Sequence, residues 1–365
     1  MKTRYRTTAL LILAVASALA AEKTRPATRA RLSQEIEMLR RGVMEKPDSD
    51  ENWKPLKPQI LANLKIAREA LDAGQMLLAL DAVNIARSGY RATEWSTGNP
   101  AIVKGGVEAF MVEWKRQDAE IAKAEEGIRV DRRKTPEAVK AIKEINTGRV
   151  HTLYQSARGF VDVAGPPTGL YYLGNAKASL ESAQLAHSVD FPSAGKASPE
   201  RSIISDILVL QNEVLAAYKP PRSIDRHSDF IRINGAIKYA RELDDAKLYR
   251  GAMYQYLEAV RSFADLKAEG DPKSNAELKA EAARYRTKIE SQKSDVSIAE
   301  LLLEKAEYRL ANAGPEGKDA PARRTAQNIL LSALPAYFAV REKPAVAPAT
   351  QGKLATVTLV RWPFT

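Results

Sequence analysis

The chain has 365 residues, no cysteine and a formal charge of +11, which excludes disulfides, thiolate metal sites, a cysteine nucleophile and a lipid-modified cysteine. Hydrophobic residues make up 45% and charged residues 28%, a globular balance that excludes global disorder and provides a large core in one or two domains. Residues 21–365 carry 53 basic against 45 acidic residues, interleaved without a basic stripe, so nucleic acid is not an expected partner.

At the N-terminus Lys2, Arg4 and Arg6 precede an uncharged apolar run that ends at Ala20, with Ala18 and Ala20 in small-x-small spacing. This is the layout of a secretory leader cleaved between Ala20 and Ala21, and it predicts a periplasmic or secreted protein. The competing reading is an uncleaved anchor, against which the run is short for a bilayer span of about 20 residues. No later stretch is apolar for long enough to cross a membrane.

Residues 21–342 read as one helical domain with a possible subdivision near 191–199. The acidic stretch Asp48–Asn52 lacks the glycine and closing glutamate of a calcium loop, and reads as a turn that starts a helix. Ile60, Leu64, Ala67 and Leu71 share one helical face, as do Val103, Val107, Phe110, Trp114 and Ile121. Further stripes are Val150, Leu153, Tyr154, Ala157, Phe160, Val161 and Ala164; Ile203, Ile207, Leu210 and Val214; Leu278, Ala282, Tyr285 and Ile289; and Ala326, Ile329, Leu330, Ala333 and Tyr337. Pro335 should kink or shorten the last of these helices. Breaks are expected at 98–100, 165–169, 191–193, 219–221, 270–272 and 314–315, and Ser49, Thr135 and Ser198 have the chemistry of helix caps. The fold class is therefore all-α, built of antiparallel helical hairpins.

Two windows are alike. DAGQMLLALDAVNIAR carries Gly74, Met76, Ala79, Leu80, Val83 and Ala86, and DAKLYRGAMYQYLEAV carries Tyr249, Ala252, Met253, Tyr256, Ala259 and Val260. Counted from Met76 and from Tyr249, large and small residues fall in the same order, each after a helix with alanines (Ala67, Ala70; Ala236, Ala240). The pattern resembles the second helix of a tetratricopeptide repeat, and YYLGNAKA, from Tyr171 to Ala178, resembles the first. The resemblance spans windows 60–88, 170–188 and 233–264. It implies an irregular stacked array of hairpins and a concave face that binds a protein or peptide.

After a Pro/Ala-rich linker at 343–352, residues 353–365 change character. Val357, Leu359, Trp362 and Phe364 belong to a β-like segment. It can pair within the chain, lie as an extended arm or tail, or complete a partner's sheet.

Catalytic and cofactor motifs are scarce. His151, His187 and His227 stand far apart, outside any metal spacing, and no metal or cofactor is expected. His227 lies in the polar loop SIDRHSD, beside Asp225 and Asp229, where Ser228 or Asp229 reads as a cap for the next helix. Tyr249, Tyr254 and Tyr256 cluster on one predicted hairpin, and Tyr171 and Tyr172 on another. Tyrosines at helical spacing serve packing, or line a groove that grips a peptide or glycan. The leading expectation is an exported scaffold or adaptor that binds a protein partner in the cell envelope. The alternative is a binder of an envelope polymer or small ligand in a tyrosine-lined groove, and an enzyme of unknown class comes third. Candidate binding residues are Tyr171, Tyr172, Tyr249, Tyr254, Tyr256, His227 and the four apolar residues of the terminal segment.

Overall fold

A computed structural model describes residues 28–128, 135–191, 195–220, 224–314 and 320–343. Among these the protein is all-α, and the only extended pairing is an isolated bridge between Lys196 and Ser294. The leader reading of residues 1–20 and the β-like segment with Val357, Leu359, Trp362 and Phe364 lie outside the described residues.

The helices follow as α1 (28–44), α2 (Lys57–Asp72), α3 (Met76–Gly98), α4 (Pro100–Ile128), α5 (Glu137–Ala164), α6 (Pro166–Ser188), α7 (Ile204–Ala217), α8 (His227–Asp245), α9 (Tyr249–Lys267), α10 (Asn275–Glu290), α11 (Ser297–Ala311), α12 (Ala320–Asn328) and α13 (Leu334–Glu342). Hairpins α2–α3, α5–α6 and α8–α9 pack side by side, with α3 against α6 and α5 against α9. Helix α11 lies across α3 and α5, with Ile298, Leu301, Leu302 and Leu303 wholly buried. Its apolar first turns make it the centre of a core that runs from Leu32 to Val340. A smaller cluster around Phe110, Tyr154 and Leu170 sits under α4.

The two similar windows form the same turn. In one, Gln75 N–H donates to the Ala70 carbonyl and Gly74 N–H to that of Leu71; in the other, Leu248 donates to Leu243 and Lys247 to Asp244. This paired bonding closes a helix through a left-handed residue. Gly74 has φ 79° and Lys247 has φ 62°, so the second turn holds a lysine where a β-carbon is disfavoured. YYLGNAKA lies in α6, where Gly174 faces α3. A Cβ there would stand 2.5 Å from the Arg91 carbonyl oxygen, so only glycine permits this approach.

Several local expectations are corrected. Gly106, at φ 71°, breaks α4, so Val103 and Val107 leave the buried face of Phe110 and Ile121 and stand 36% and 40% exposed. At 165–169 only Gly165 breaks the chain, because Pro166 and Pro167 start α6, where a missing N–H costs nothing. Pro335 does not end its helix. The preceding turn, Ile329–Ala333, widens to π geometry, with Leu334 N–H bonded to the Ile329 carbonyl. Thr135 and Ser198 do not cap helices: α5 starts at Glu137, and α7 only at Ile204. Ser49 lies in a turn well before α2. Nor does Asp229 or Ser228 cap α8, which begins at His227; the Asp229 carboxylate pairs with Arg226 and Arg232 at 2.9 and 3.0 Å.

Helix starts are instead satisfied from elsewhere in the fold. Leu78 N–H in the first turn of α3 donates to Glu304 Oε2 of α11 at 2.8 Å, and Gly251 N–H in the first turn of α9 donates to Glu144 Oε2 of α5 at 2.8 Å. The first two amides of α5 donate to Asp295 Oδ2 and Ser297 Oγ. Ile203 N–H, at the start of α7, donates to Asp244 Oδ1. Glu137 then ties α5 to its surroundings: it accepts from Ser198 N–H at 2.9 Å, Arg250 at 3.2 Å and Arg341 at 3.0 Å.

Burial pushes the carboxyl of Glu304 up to about 8 and that of Glu144 up to about 7, although the amides they accept from pull the other way. A carboxyl raised above its unfolded value contributes most below about pH 4.5, and the contribution is lost as pH rises through 7 and 8. Glu304→Gln keeps the acceptor for Leu78 and removes the charge. Because the α3 dipole favours the anion and trims the effect, the substitution should stabilise by about 2 kcal/mol at pH 8. Near pH 5 it should change little; urea unfolding at the two pH values reads the difference. At the left-handed turn, Lys247→Gly should stabilise by about 0.5–1 kcal/mol, backbone entropy offsetting part of the relief.

Candidate functional site

Helices α3, α5, α6, α9 and α11 surround a cavity of about 550 Å³. A second volume of about 280 Å³ continues it towards α2 and α12, and Asp81, Ile85, Glu258 and Lys305 line both. The two form one groove with α3 as its floor. Ile85, in the middle, is 52% exposed, an apolar side chain that no helix covers. Asn84, Asn146, Arg149, Asn175 and Gln255 present polar groups from four helices.

A compact charge cluster separates the two volumes. Lys305 Nζ lies 3.0 Å from Asp81 Oδ2 and 3.1 Å from Glu258 Oε1, and also donates to the Tyr254 hydroxyl. Arg261 Nε donates to the second oxygen of Glu258 at 3.0 Å. Burial opposes a charge on Lys305, yet Asp81 and Glu258 outweigh it and hold the amine well above the ordinary lysine range. Burial likewise would raise Glu258, but Lys305 and Arg261 bring it down to about 2. The Tyr254 hydroxyl is pushed far up by burial and then by Asp81. At neutral pH Lys305 and Glu258 are therefore in their charged forms, whereas the Tyr254 hydroxyl keeps its proton.

The wall beside it is held from behind. Arg87 is buried; its guanidinium donates to Glu35 at 2.8 Å, to Ser182 at 3.2 Å and to Asn84 Oδ1 at 3.2 Å. This contact fixes the Asn84 amide with its oxygen towards Arg87, and leaves Asn84 Nδ2 as a buried donor without a hydrogen-bond partner among the described residues. Such a group costs roughly 1–3 kcal/mol when unmet. The α3–α6 side is fixed by Ser88 to Asn175 at 2.7 Å and by Arg91 to Glu181 at 3.0 Å.

The tyrosines named from the sequence do not converge on this groove. Tyr254 lines it, with its hydroxyl engaged and Lys305 over its ring at 5.0 Å. Tyr249 borders a separate cavity, and Tyr256 packs against the core. Tyr171 stands edge-on to Tyr172, which stacks on Phe160 with centroids 4.7 Å apart. His227 accepts or donates at Nδ1 with the Tyr218 hydroxyl at 2.8 Å, away from the groove. Asp81, Asn84, Ile85, Glu258 and Lys305 were not singled out in the sequence, because their meaning depends on helices more than 150 residues apart being brought together.

Among the described residues no helix is long and apolar enough to cross a membrane. Lys305→Met would strand Asp81 and Glu258 without their shared cation, and should cost about 3–5 kcal/mol in urea unfolding at pH 7. Compared with known proteins, the chain matches no family model, no curated protein and no solved structure.

Proposed function

We propose that this protein is an exported scaffold that binds an extended segment of a partner protein in the five-helix groove. The observation that carries this reading is Asn84. Its amide is held in place by Arg87, its Nδ2 is a buried donor without a partner among the described residues, and the residue lines the groove beside the half-exposed Ile85. A peptide backbone offers carbonyl acceptors and N–H donors in alternation, which side-chain amides such as Asn84, Asn146, Asn175 and Gln255 match in kind. A neighbouring apolar side chain on the peptide would cover Ile85.

Two further points favour binding of a peptide. A glycan would need an open aromatic face; of the two tyrosines lining this groove, Tyr254 is covered by Lys305 and Tyr308 is tied through its hydroxyl to Glu69. Catalysis would need a group that exchanges protons near neutral pH, whereas Glu258 titrates near 2 and Lys305 far above neutrality. The leader-like residues 1–20 support export and place the partner in the cell envelope or outside it.

The test is selection from an unbiased displayed library of eight-residue peptides, using wild type and Ile85→Arg. Ile85 is solvent-facing, so the substitution should leave the thermal midpoint unchanged. Wild type should enrich a peptide class that Ile85→Arg fails to retain by at least tenfold. No enrichment, or equal enrichment by both proteins, contradicts the reading.

A further inference from the structure

A second cavity, of about 660 Å³, lies between the 196–201 segment, the start of α9 and the end of α13. It shares no lining residue with the groove. Five cations border it: Lys196, Arg201, Arg250, Arg341 and Lys343. Their compensation is incomplete. Arg250 and Arg341, both largely buried, share the single carboxylate of Glu137. Lys343 pairs with Asp206. Arg201 spends two N–H groups on the carbonyl oxygens of Val340 and Lys343, at the end of α13, and has no ion pair among the described residues. Lys196 has no ion pair among the described residues. The one carboxylate in the lining, Glu342, lies 3.8 Å from Lys288. The rest of the lining mixes polar side chains (Ser198, Gln292, Ser294) with apolar ones, Met253 and Phe338 among them. The helix end adds carbonyl oxygens that Arg201 neutralises, so the mouth stays positive.

We propose that this cavity binds an anionic amphiphile, a phosphate monoester carrying a short apolar group. Like charges held together at partial burial repel, and a dianion among them offsets that cost through charge-assisted hydrogen bonds. Met253 and Phe338 take the apolar portion. The volume is that of a small-ligand site. Arg250 and Arg341 are held in position by Glu137 and need no rearrangement to receive the head group, while Lys196, exposed at the rim, closes on it.

Isothermal titration of the full chain with hexyl phosphate, inorganic phosphate and hexanol tests the assignment. Hexyl phosphate should bind saturably at one site per chain. Inorganic phosphate and hexanol should each bind at least tenfold more weakly. Lys196→Glu reverses a rim charge on an exposed side chain and should weaken hexyl phosphate at least fivefold, without changing the thermal midpoint or the peptide selection by the groove. The proposal is overturned if hexyl phosphate does not saturate, if inorganic phosphate or hexanol binds equally well, or if Lys196→Glu binds as wild type does.

Discussion

The fold depends on buried carboxylates that cap helices other than their own. The first amides of α3, α5, α7 and α9 have no side-chain cap from their own N-cap residue. A buried N–H left without a partner is costly, and here Glu304, Asp295, Asp244 and Glu144 supply the acceptors. Each bond joins segments remote in sequence, 226 residues apart for Leu78 and Glu304. The bonds also have direction: a helix start fits only one place against its carboxylate. Hydrophobic burial alone allows helices to slide and rotate, and these contacts set the register of α3 on α11 and of α9 on α5.

That register builds the groove. With α3 and α9 fixed, Asp81, Glu258 and Lys305 meet as a closed charge cluster, and Asn84 joins the lining of the groove. The same constraint separates the two kinds of ionised group. Glu258 is paired and stays charged to low pH, whereas Glu304 and Glu144 each accept a backbone amide and, even with Lys140 3.9 Å from Glu144, are driven towards the neutral form by burial. Charge around the groove therefore places side chains, and amide groups from α3, α5, α6 and α9 join it in the lining.

Much of the architecture was legible in the sequence. Apolar stripes such as Ile60, Leu64, Ala67 and Leu71 depend on local periodicity alone, and all four are buried. The windows DAGQ and DAKL, compared in the sequence as helices, also share the hydrogen bonding of the turns before them. Local reasoning failed where a neighbour in space decides the outcome. Thr135 and Ser198 have cap chemistry, but the α5 amides found Asp295 and Ser297 first. Pro335 ought to break a helix, and a π turn absorbs it. The candidate site was the least legible part. Helix α11, SIAELLLEKAEYRL, is apolar on nearly every side, which marks a central helix. Glu304 and Lys305 on such a helix must find partners inside the protein, yet nothing in the sequence names Leu78, Asp81 and Glu258 as those partners.

The most direct measurement is amide hydrogen exchange at Leu78 and Gly251. First-turn amides of a helix ordinarily exchange by local fraying, within the low end of a protein's opening energies. If trans capping sets the register, both amides exchange as slowly as the wholly buried centre of α11, and Glu304→Ala releases Leu78 while Gly251 stays protected. Fast exchange at both positions in the wild-type protein would contradict the account, since the carboxylates would then be incidental neighbours of helix ends held by packing alone.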